Sequence, residues 1–402
     1  MIRTSHVGSL PRPEALLALN RRRLDGGSVS DASYADEVQS SIAEVVAHQA
    51  KIGIDLPNDG EYAHAMGSAV DYGAWWSYIF PRLAGLGLWT DMANVPAAPP
   101  KAGIQLGTFP DRRDRSRFSE AYSDPDAGVA SKTESEGGRK GNSMALPVCV
   151  EPLSYAGEEE IARDIENLQS GLRAAGSANG FICSIGPGSL ARIGNAHYAT
   201  DEEFVWACAD AMREEYLAIT NAGLIVQIDE PSFAENWDQF DPAPDVDDYL
   251  TFTKVRVESL NHALRDIPKE LTRFHLCWGS CHGPHSTDLE LKYLVDLLLE
   301  VEVGSYSFEA ANARHEHEWR VWQDVDLPDD RTLVPGVVGH ATNVVEHPEL
   351  VADRIVNFAR LVGAERVIAS TDCGLGGRVH PQIAWAKLES LVAGASIASQ
   401  RV

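Results

Sequence analysis

Residues 274–279 read Phe-His-Leu-Cys-Trp-Gly and end an apolar run with an imidazole and a thiol two positions apart. In a β-strand, the side chains of residues i and i+2 point to the same side of the sheet. His275 and Cys277 can therefore bind one metal ion together. Polar groups directly after a buried strand are typical of the carboxyl-terminal face of an α/β barrel, where the functional loops lie.

Two later stretches provide the remaining ligands of a tetrahedral zinc set. Glu309 and Cys373 each follow a further apolar run. A His, a carboxylate and two Cys are a ligand set that zinc accepts, and a substrate can displace the weaker carboxylate, as catalytic zinc requires. A closed structural zinc site is usually built from Cys-x-x-Cys pairs, which this chain lacks. Cys281, further along the loop that Cys277 begins, remains an alternative ligand.

On both sides of this stretch, strands alternate with helices. Nine apolar runs have the length of strands, and amphipathic stretches separate them, such as 157–175 with Ile161, Leu168 and Leu172 on one stripe. This alternation predicts right-handed βαβ units on a parallel sheet. Eight strands would close a (β/α)8 TIM barrel, and the run at 147–150 is predicted to form an extra hairpin arm. A doubly wound sheet is the alternative, but its Gly-x-Gly-x-x-Gly turn is missing after the first strand.

A long segment at about 90–146 interrupts the alternation. Residues 95–100 are rich in Pro and Ala, and 110–142 are crowded with Asp, Arg, Ser, Gly and Lys, so no helical or alternating period survives. The length of 402 residues is enough for one large barrel. We therefore predict a single barrel domain over 1–402 that carries an irregular insertion at about 90–146.

Composition and charge exclude several classes of function. The formal net charge of −25 argues against a nucleic-acid surface, which needs clustered Lys and Arg, and against docking to an anionic membrane. No apolar run reaches the length of a membrane span, and the first residues lack the apolar core of a signal peptide. A cytoplasmic location is therefore predicted. Six Cys in a chain of this length do not indicate a disulfide scaffold.

Further polar residues follow strands at the same predicted face. Asp229 and Glu230 end a buried strand, where one can neutralise an amine or a cationic donor and the other can shape the pocket. Solvated or helix-capping carboxylates fit their spacing equally well. His340 follows another strand and is a candidate proton donor to a leaving group. Glu61 follows the strand-like run at 53–57, and a carboxylate just past a strand is where barrels keep functional groups.

Two stretches suggest a structural role from their spacing alone. His6, Gly8 and Ser9 belong to a short strand that enters a Gly-Ser-x-Pro turn, which presents backbone N–H groups and a hydroxyl but is most simply a turn. His315 and His317 alternate with Glu residues and are predicted to begin a solvated, charged helix.

In order along nearly the whole chain, these motifs resemble the catalytic half of cobalamin-independent methionine synthases. The combination of His-x-Cys, Glu and Asp-Cys-Gly is specific to that family. The matching stretches are His6-Val7-Gly8-Ser9, Asp59-Gly60-Glu61, Gln227-Ile228-Asp229-Glu230-Pro231, His275-Leu276-Cys277, Phe308-Glu309, His340-Ala341-Thr342-Asn343 and Asp372-Cys373-Gly374-Leu375.

The resemblance implies a (β/α)8 barrel and assigns functions to named residues. It implies zinc held by His275, Cys277, Glu309 and Cys373. It makes His340 similar to the family's proton-donating His. The residues that it places around a thiol amino acid, together with their neighbours in the same motifs, are His6, Gly8, Ser9, Glu61, Asp229 and Glu230, with Asp229 also a catalytic candidate.

Two departures concern the alkyl donor. Full-length synthases carry an additional N-terminal half that helps to hold polyglutamyl folate, and 402 residues leave no room for it. The Trp that the family stacks on the pterin corresponds here to Ile193. The stretches 275–285 and 308–318 also resemble the single-barrel epoxyalkane:coenzyme M transferases, which join a thiol to an epoxide.

The expected function is zinc-dependent alkyl transfer to a thiol. Methionine-synthase-like methyl transfer to homocysteine or a related thiol is the first interpretation, and addition of a thiol to an epoxide is the second. A metal-stabilised binding barrel without catalysis is the alternative from another class. The expected partners are a small thiol and a small alkyl donor, with a corrinoid protein among the donors considered. A homo-oligomer is a further expectation, since barrels of this type often pair.

Overall fold

A computed structural model describes the chain except for a few segments in and near the predicted insertion and one short loop. The described residues are 1–66, 78–89, 94–96, 106, 112–124, 126–129, 146–279 and 282–402.

Parallel strands form one curled sheet at the centre of the molecule. Ten strands occur in the described residues, and seven of them make this sheet in the order β1-β10-β9-β8-β7-β6-β4. All of its neighbouring pairs are parallel. The strands of the sheet are β1 (Arg3–Thr4), β4 (Phe181–Ile185), β6 (Ile225–Asp229), β7 (Thr272–Leu276), β8 (Ser305–Phe308), β9 (Thr332–Val338) and β10 (Ile368–Thr371).

The segment 56–58 fills the gap between the two edges of this sheet. The backbone N–H of Leu56 donates to the carbonyl of Thr4 at 3.1 Å, and the N–H of Phe181 donates to the carbonyl of Pro57 at 3.2 Å. Asn58 also forms a parallel bridge with Phe181. Residues 56–58 therefore take the place of the eighth strand, between β1 and β4. The predicted (β/α)8 barrel is confirmed.

A smaller sheet of three strands forms the predicted hairpin arm. Strand β2 (Leu83–Trp89) pairs antiparallel with β3 (Leu146–Tyr155), and β5 (Gly194–Asn195) pairs parallel with β3. The arm was predicted at 147–150, and the strand is longer because the pairing with β2 continues to Tyr155. The segment predicted as an irregular insertion connects β2 to β3, and its described part contains two single-turn helices.

Helices cover the outside of the barrel and follow the predicted amphipathic stretches closely. In the helix predicted at 157–175, Ile161, Leu168 and Leu172 are buried. No helix among the described residues is long and apolar enough to cross a lipid bilayer. In chain order the described helices are α1 (Glu14–Leu24), α2 (Asp31–Ile52), α3 (Arg113–Arg117), α4 (Ser119–Ser123), α5 (Glu158–Ala175), α6 (Pro187–Leu190), α7 (Asp201–Asn221), α8 (Ser232–Glu235), α9 (Val246–Leu264), α10 (Leu291–Glu300), α11 (Pro348–Val362) and α12 (Pro381–Ala398).

A buried carboxylate anchors the hairpin arm to the barrel. Glu215 of α7 is fully buried and accepts hydrogen bonds from the Tyr155 hydroxyl at 2.5 Å and from the Ser184 hydroxyl at 2.7 Å. It also accepts from Tyr78 and forms an ion pair with Arg82 at 3.1 Å. Because a buried charge is stable only when it is paired and hydrogen-bonded, these contacts fix the arm against the barrel wall.

Candidate metal and substrate site

Three of the four predicted metal ligands converge at the carboxyl-terminal mouth of the barrel. The ligand atoms of His275, Cys277 and Cys373 all lie within 4.8 Å of one another. His275 is the second-to-last residue of β7. Cys277 directly follows that strand, and Cys373 follows β10. The strand alternation that motivated the prediction therefore places the imidazole and both thiols at one edge.

The orientation of His275 is set by the neighbouring strand. Its Nδ1 lies 3.1 Å from the hydroxyl of Ser307, which is directly opposite it in the pairing of β7 with β8. Its Nε2 is buried and makes no hydrogen bond within the described part of the protein. When Nδ1 carries the proton and donates it to Ser307, Nε2 presents a lone pair, which is the form that binds metal.

These three residues fit zinc. Zinc prefers imidazole nitrogen and thiolate sulfur, and a buried Nε2 without a partner beside two thiols is an arrangement that a metal ion would satisfy. The thiols already interact, because a hydrogen bond from Cys277 lowers the pKa of Cys373 well below its usual range. The same contact raises the pKa of Cys277. One sulfur of the pair is therefore predisposed to be a thiolate.

Glu309 lies beside this set, and both of its oxygens are held by the protein. Its Oε1 accepts the backbone N–H of Trp278 at 3.0 Å, and its Oε2 accepts the side-chain amide of Asn312 at 2.7 Å. A second group with ligand atoms within 4.8 Å contains Glu309, His340 and Asp372. Burial raises the pKa of Glu309 to about 7. Its assignment as the fourth metal ligand stays a prediction.

His340 is buried within this second group. Both ring nitrogens lack a hydrogen-bond partner within the described part of the chain. Burial lowers the pKa of His340 to about 3, so the ring is neutral in the folded protein. A neutral imidazole with one N–H and no partner is available to a substrate.

A third buried group contains Glu61, Cys183 and Asp229, with ligand atoms within 4.8 Å of one another. Burial raises the pKa of Glu61 to about 7, and burial together with the Glu61 charge raises that of Asp229 well above its usual range. The Arg12 guanidinium acts on Glu61 and the Arg273 guanidinium acts on Asp229, and each lowers the pKa of its carboxyl group. Both pKa values nevertheless stay raised, so these two cations do not offset the burial of the two acids.

Gly8 packs tightly against this group. A Cβ on Gly8 would lie 2.4 Å from both the Cys183 sulfur and a carboxylate oxygen of Glu61, and its φ of +122° favours glycine. The turn containing Gly8 therefore forms one wall of the group. The sequence analysis missed Cys183. Cys183 pairs with Gln227 in the β4–β6 register, and Gln227 lies two residues before Asp229, so the three side chains point to the same face of the sheet.

The other predicted substrate-binding residues contact the protein itself. Both ring nitrogens of His6 have partners, the N–H of Gly8 at 3.1 Å and the side chain of Gln49 at 2.8 Å. Ser9 accepts from Arg12 at 2.7 Å. Glu230 accepts the N–H of Gly188 at 2.9 Å and holds the turn after β4. These three residues surround the site, and their substrate contacts stay a prediction.

The prediction for His315 is wrong, whereas His317 is exposed as expected. His315 is buried, stacks on Trp278 with ring centroids 4.1 Å apart, and lies between Asp288 at 3.1 Å and Glu318 at 2.8 Å. Burial lowers its pKa, but hydrogen bonds to the two carboxylates outweigh this and raise the pKa to about 9. His315 and Glu318 therefore belong to a buried ion-pair network with Asp288, at the start of the short 3-10 helix Glu316–Gln323. Cys281, the alternative ligand, lies outside the described residues.

Fold and site together define an α/β-barrel with a sulfur-rich candidate metal centre at its mouth. Residues 186–396 match the family described as cobalamin-independent synthase, catalytic domain. The chain therefore belongs to this enzyme family, which confirms the resemblance inferred from the motifs.

Relatives of this chain include enzymes with two different reactions. The chain is 23% identical to the methionine synthase of Thermococcus kodakarensis over 400 residues, covering 98% of this chain and 92% of that protein. It is 25% identical over 230 residues to the 2-hydroxypropyl-CoM lyase of Xanthobacter autotrophicus, covering 50% and 56%. A solved B12-independent methionine synthase from Shewanella superposes with a TM-score of 0.67 over 100% of this chain and 98% of the other at 18% identity, which supports the fold.

Proposed function

We propose that this chain is a zinc-dependent thiol S-alkyltransferase whose reaction is methyl transfer to homocysteine or a closely related aminothiol. The observation that carries the proposal is the convergence of His275 Nε2 with the sulfurs of Cys277 and Cys373 at the barrel mouth. These residues and Glu309 would hold a zinc ion, which would lower the pKa of a bound thiol and so keep the acceptor as a thiolate near neutral pH.

The buried acidic pair favours an acceptor that carries an amino group. Glu61 and Asp229 have raised pKa values because they are buried, and the nearby guanidiniums of Arg12 and Arg273 do not offset that burial. An ammonium group between them would offset the cost of burying two carboxylates. The same pair would repel the sulfonate of coenzyme M. This charge arrangement supports homocysteine over coenzyme M as the acceptor.

His340 is the proposed proton donor to the leaving group. Its buried ring has no hydrogen-bond partner among the described residues, so a substrate atom can accept its N–H without breaking an existing contact. Proton transfer by a positioned imidazole typically contributes about 10²–10⁴-fold to the rate. The methyl donor is proposed to be other than polyglutamyl folate, and a corrinoid protein is one candidate.

Addition of a thiol to an epoxide is the second candidate function. It is favoured by the similarity to 2-hydroxypropyl-CoM lyase over 230 residues. Both reactions need the same activated thiolate, so the ligand set does not separate them. The acceptor-binding groups do separate them, because an amine and a sulfonate require opposite charges.

A two-part experiment tests the proposal. Protein purified without chelator should contain about one zinc per chain, and the Co²⁺-substituted form should change its visible absorption when homocysteine is added. Turnover is then measured for homocysteine and coenzyme M, each with methylcobalamin, methyl-folate and a short epoxide. Absence of bound zinc would refute the enzyme proposal. Turnover of coenzyme M with the epoxide alone would establish the second candidate instead.

A further inference from the structure

The side chain of Asn312 holds the carboxylate of Glu309 in position by a hydrogen bond. Its side-chain amide donates to Glu309 Oε2 at 2.7 Å and, more weakly, to Asp372 Oδ2 at 3.2 Å. The other carboxylate oxygen of Glu309 accepts the backbone N–H of Trp278 at 3.0 Å. Two donors, one from the loop after β7 and one from the loop after β8, therefore hold the carboxylate from both ends.

The Asn312 side chain is itself held in place. Its carbonyl oxygen accepts the backbone N–H groups of Arg314 and His315, each at 3.0 Å. Asp372, which also contacts the amide, accepts the N–H groups of Ala310 at 2.7 Å and Ala311 at 2.8 Å. Asn312 thereby connects the loop that carries Glu309 to the loop that carries Cys373.

We infer that Asn312, with the Trp278 N–H, forms a holding site for the Glu309 carboxylate away from the metal, and so determines how readily an acceptor thiol takes the fourth coordination position. This inference rests on the proposed function. A charge-assisted hydrogen bond stabilises the held carboxylate, so it lowers the cost of moving Glu309 off the metal. Asn312 is a positioning residue in this scheme, since it acts through Glu309.

The inference predicts that the affinity for homocysteine falls while the affinity for Zn²⁺ does not. In Asn312→Ala, the held position of Glu309 is weakened, so the carboxylate competes better for the metal. Homocysteine should then bind about tenfold more weakly to the Co²⁺-substituted protein, as judged by its visible absorption. Affinity for Zn²⁺ alone, measured by competition with a chromophoric chelator, should be equal or higher. A merely structural disturbance of the site would weaken both.

Two controls isolate the contact with Glu309. Asn195 accepts the N–H groups of His197 at 3.1 Å and Tyr198 at 2.9 Å, the same loop-capping pattern without a carboxylate partner. Asn195→Ala should leave both affinities unchanged. In a Glu309→Gln background, Asn312→Ala should have no further effect on homocysteine binding, because the charged group that it positions is gone.

Specific outcomes would overturn the inference. Unchanged homocysteine affinity in Asn312→Ala, a fall in both affinities, or an undiminished effect in the Glu309→Gln background would each refute it. Asn312→Gln, which keeps an amide donor, should recover part of the homocysteine affinity and shows that a loss is not misfolding. If the wild-type Co²⁺ protein shows no absorption change with homocysteine, the proposed function fails first, and this inference fails with it.

Discussion

Replacing Ser307 by alanine tests whether the orientation of one imidazole determines the affinity for zinc. The Ser307 hydroxyl lies 3.1 Å from Nδ1 of His275 and is the partner that leaves Nε2 facing the two thiols. Alanine removes the acceptor and leaves a buried N–H without a partner. The ring can then rotate or change tautomer, and either movement takes the lone pair away from the metal.

The expected loss follows from the behaviour of groups that orient metal ligands. Removing such a partner typically lowers metal affinity about 10–100-fold, which corresponds to about 1.4–2.7 kcal/mol. Zinc affinity is measured by competition with a chromophoric chelator at fixed pH. The fold is checked in the zinc-free protein by far-ultraviolet circular dichroism.

Ser305 provides a matched control on the same strand. It precedes Ser307 by two positions in β8, and its hydroxyl donates to the Thr272 carbonyl at 3.4 Å. Ser305→Ala should retain wild-type zinc affinity. Wild-type affinity in Ser307→Ala, or an equal loss in Ser305→Ala, would show that this hydrogen bond does not orient the ligand.

Three further predictions concern the site and its supports. Cys373→Ser should lose bound zinc while keeping the fold, whereas Cys149→Ser on the hairpin arm should keep both, as measured by metal content and circular dichroism. His315 has a folded pKa of about 9, above its ordinary 6.5, so its stabilising effect is complete below pH 6.5 and is lost as pH rises through 9. Urea unfolding of zinc-free protein should show wild type exceeding His315→Gln by about 3 kcal/mol at pH 6, with the difference gone by pH 10. Glu215→Gln should destabilise the protein by about 3 kcal/mol in thermal unfolding, while Glu214→Gln, exposed on the same helix, should change it by less than about 0.5 kcal/mol.

The barrel could be predicted because its signals are local. Helix α7 carries its apolar residues at helical spacing, and strands such as Phe181–Ile185 are short, mostly apolar and fully buried. A strand was also predicted at 53–57, which overlaps the segment 56–58 at two residues. Its pairing with β1 and β4 was not, since two hydrogen bonds to distant strands leave no periodic trace in the sequence.

The site was predictable where one strand supplies two groups or where a motif is specific. His275 and Cys277 are such a pair, and the resemblance added Glu309 and Cys373. The burial of His315 could not be predicted, because a run of alternating His and Glu residues has the composition of a surface helix. Its neutralising partner Asp288 lies 27 positions earlier in the chain, and Trp278 lies earlier still.

The contact between the two ends of the barrel links completion of the proposed metal site to the order of synthesis. The backbone N–H of Val7 donates to the hydroxyl of Thr371 at 3.2 Å across 364 positions of the chain. During translation, the first strand has only segment 56–58 beside it until β10, its other neighbour, leaves the ribosome, and Cys373 follows that strand directly. Until then the chain holds His275, Cys277 and Glu309 but not Cys373. Under the proposed function, the ligand set is therefore completed only when the barrel can close.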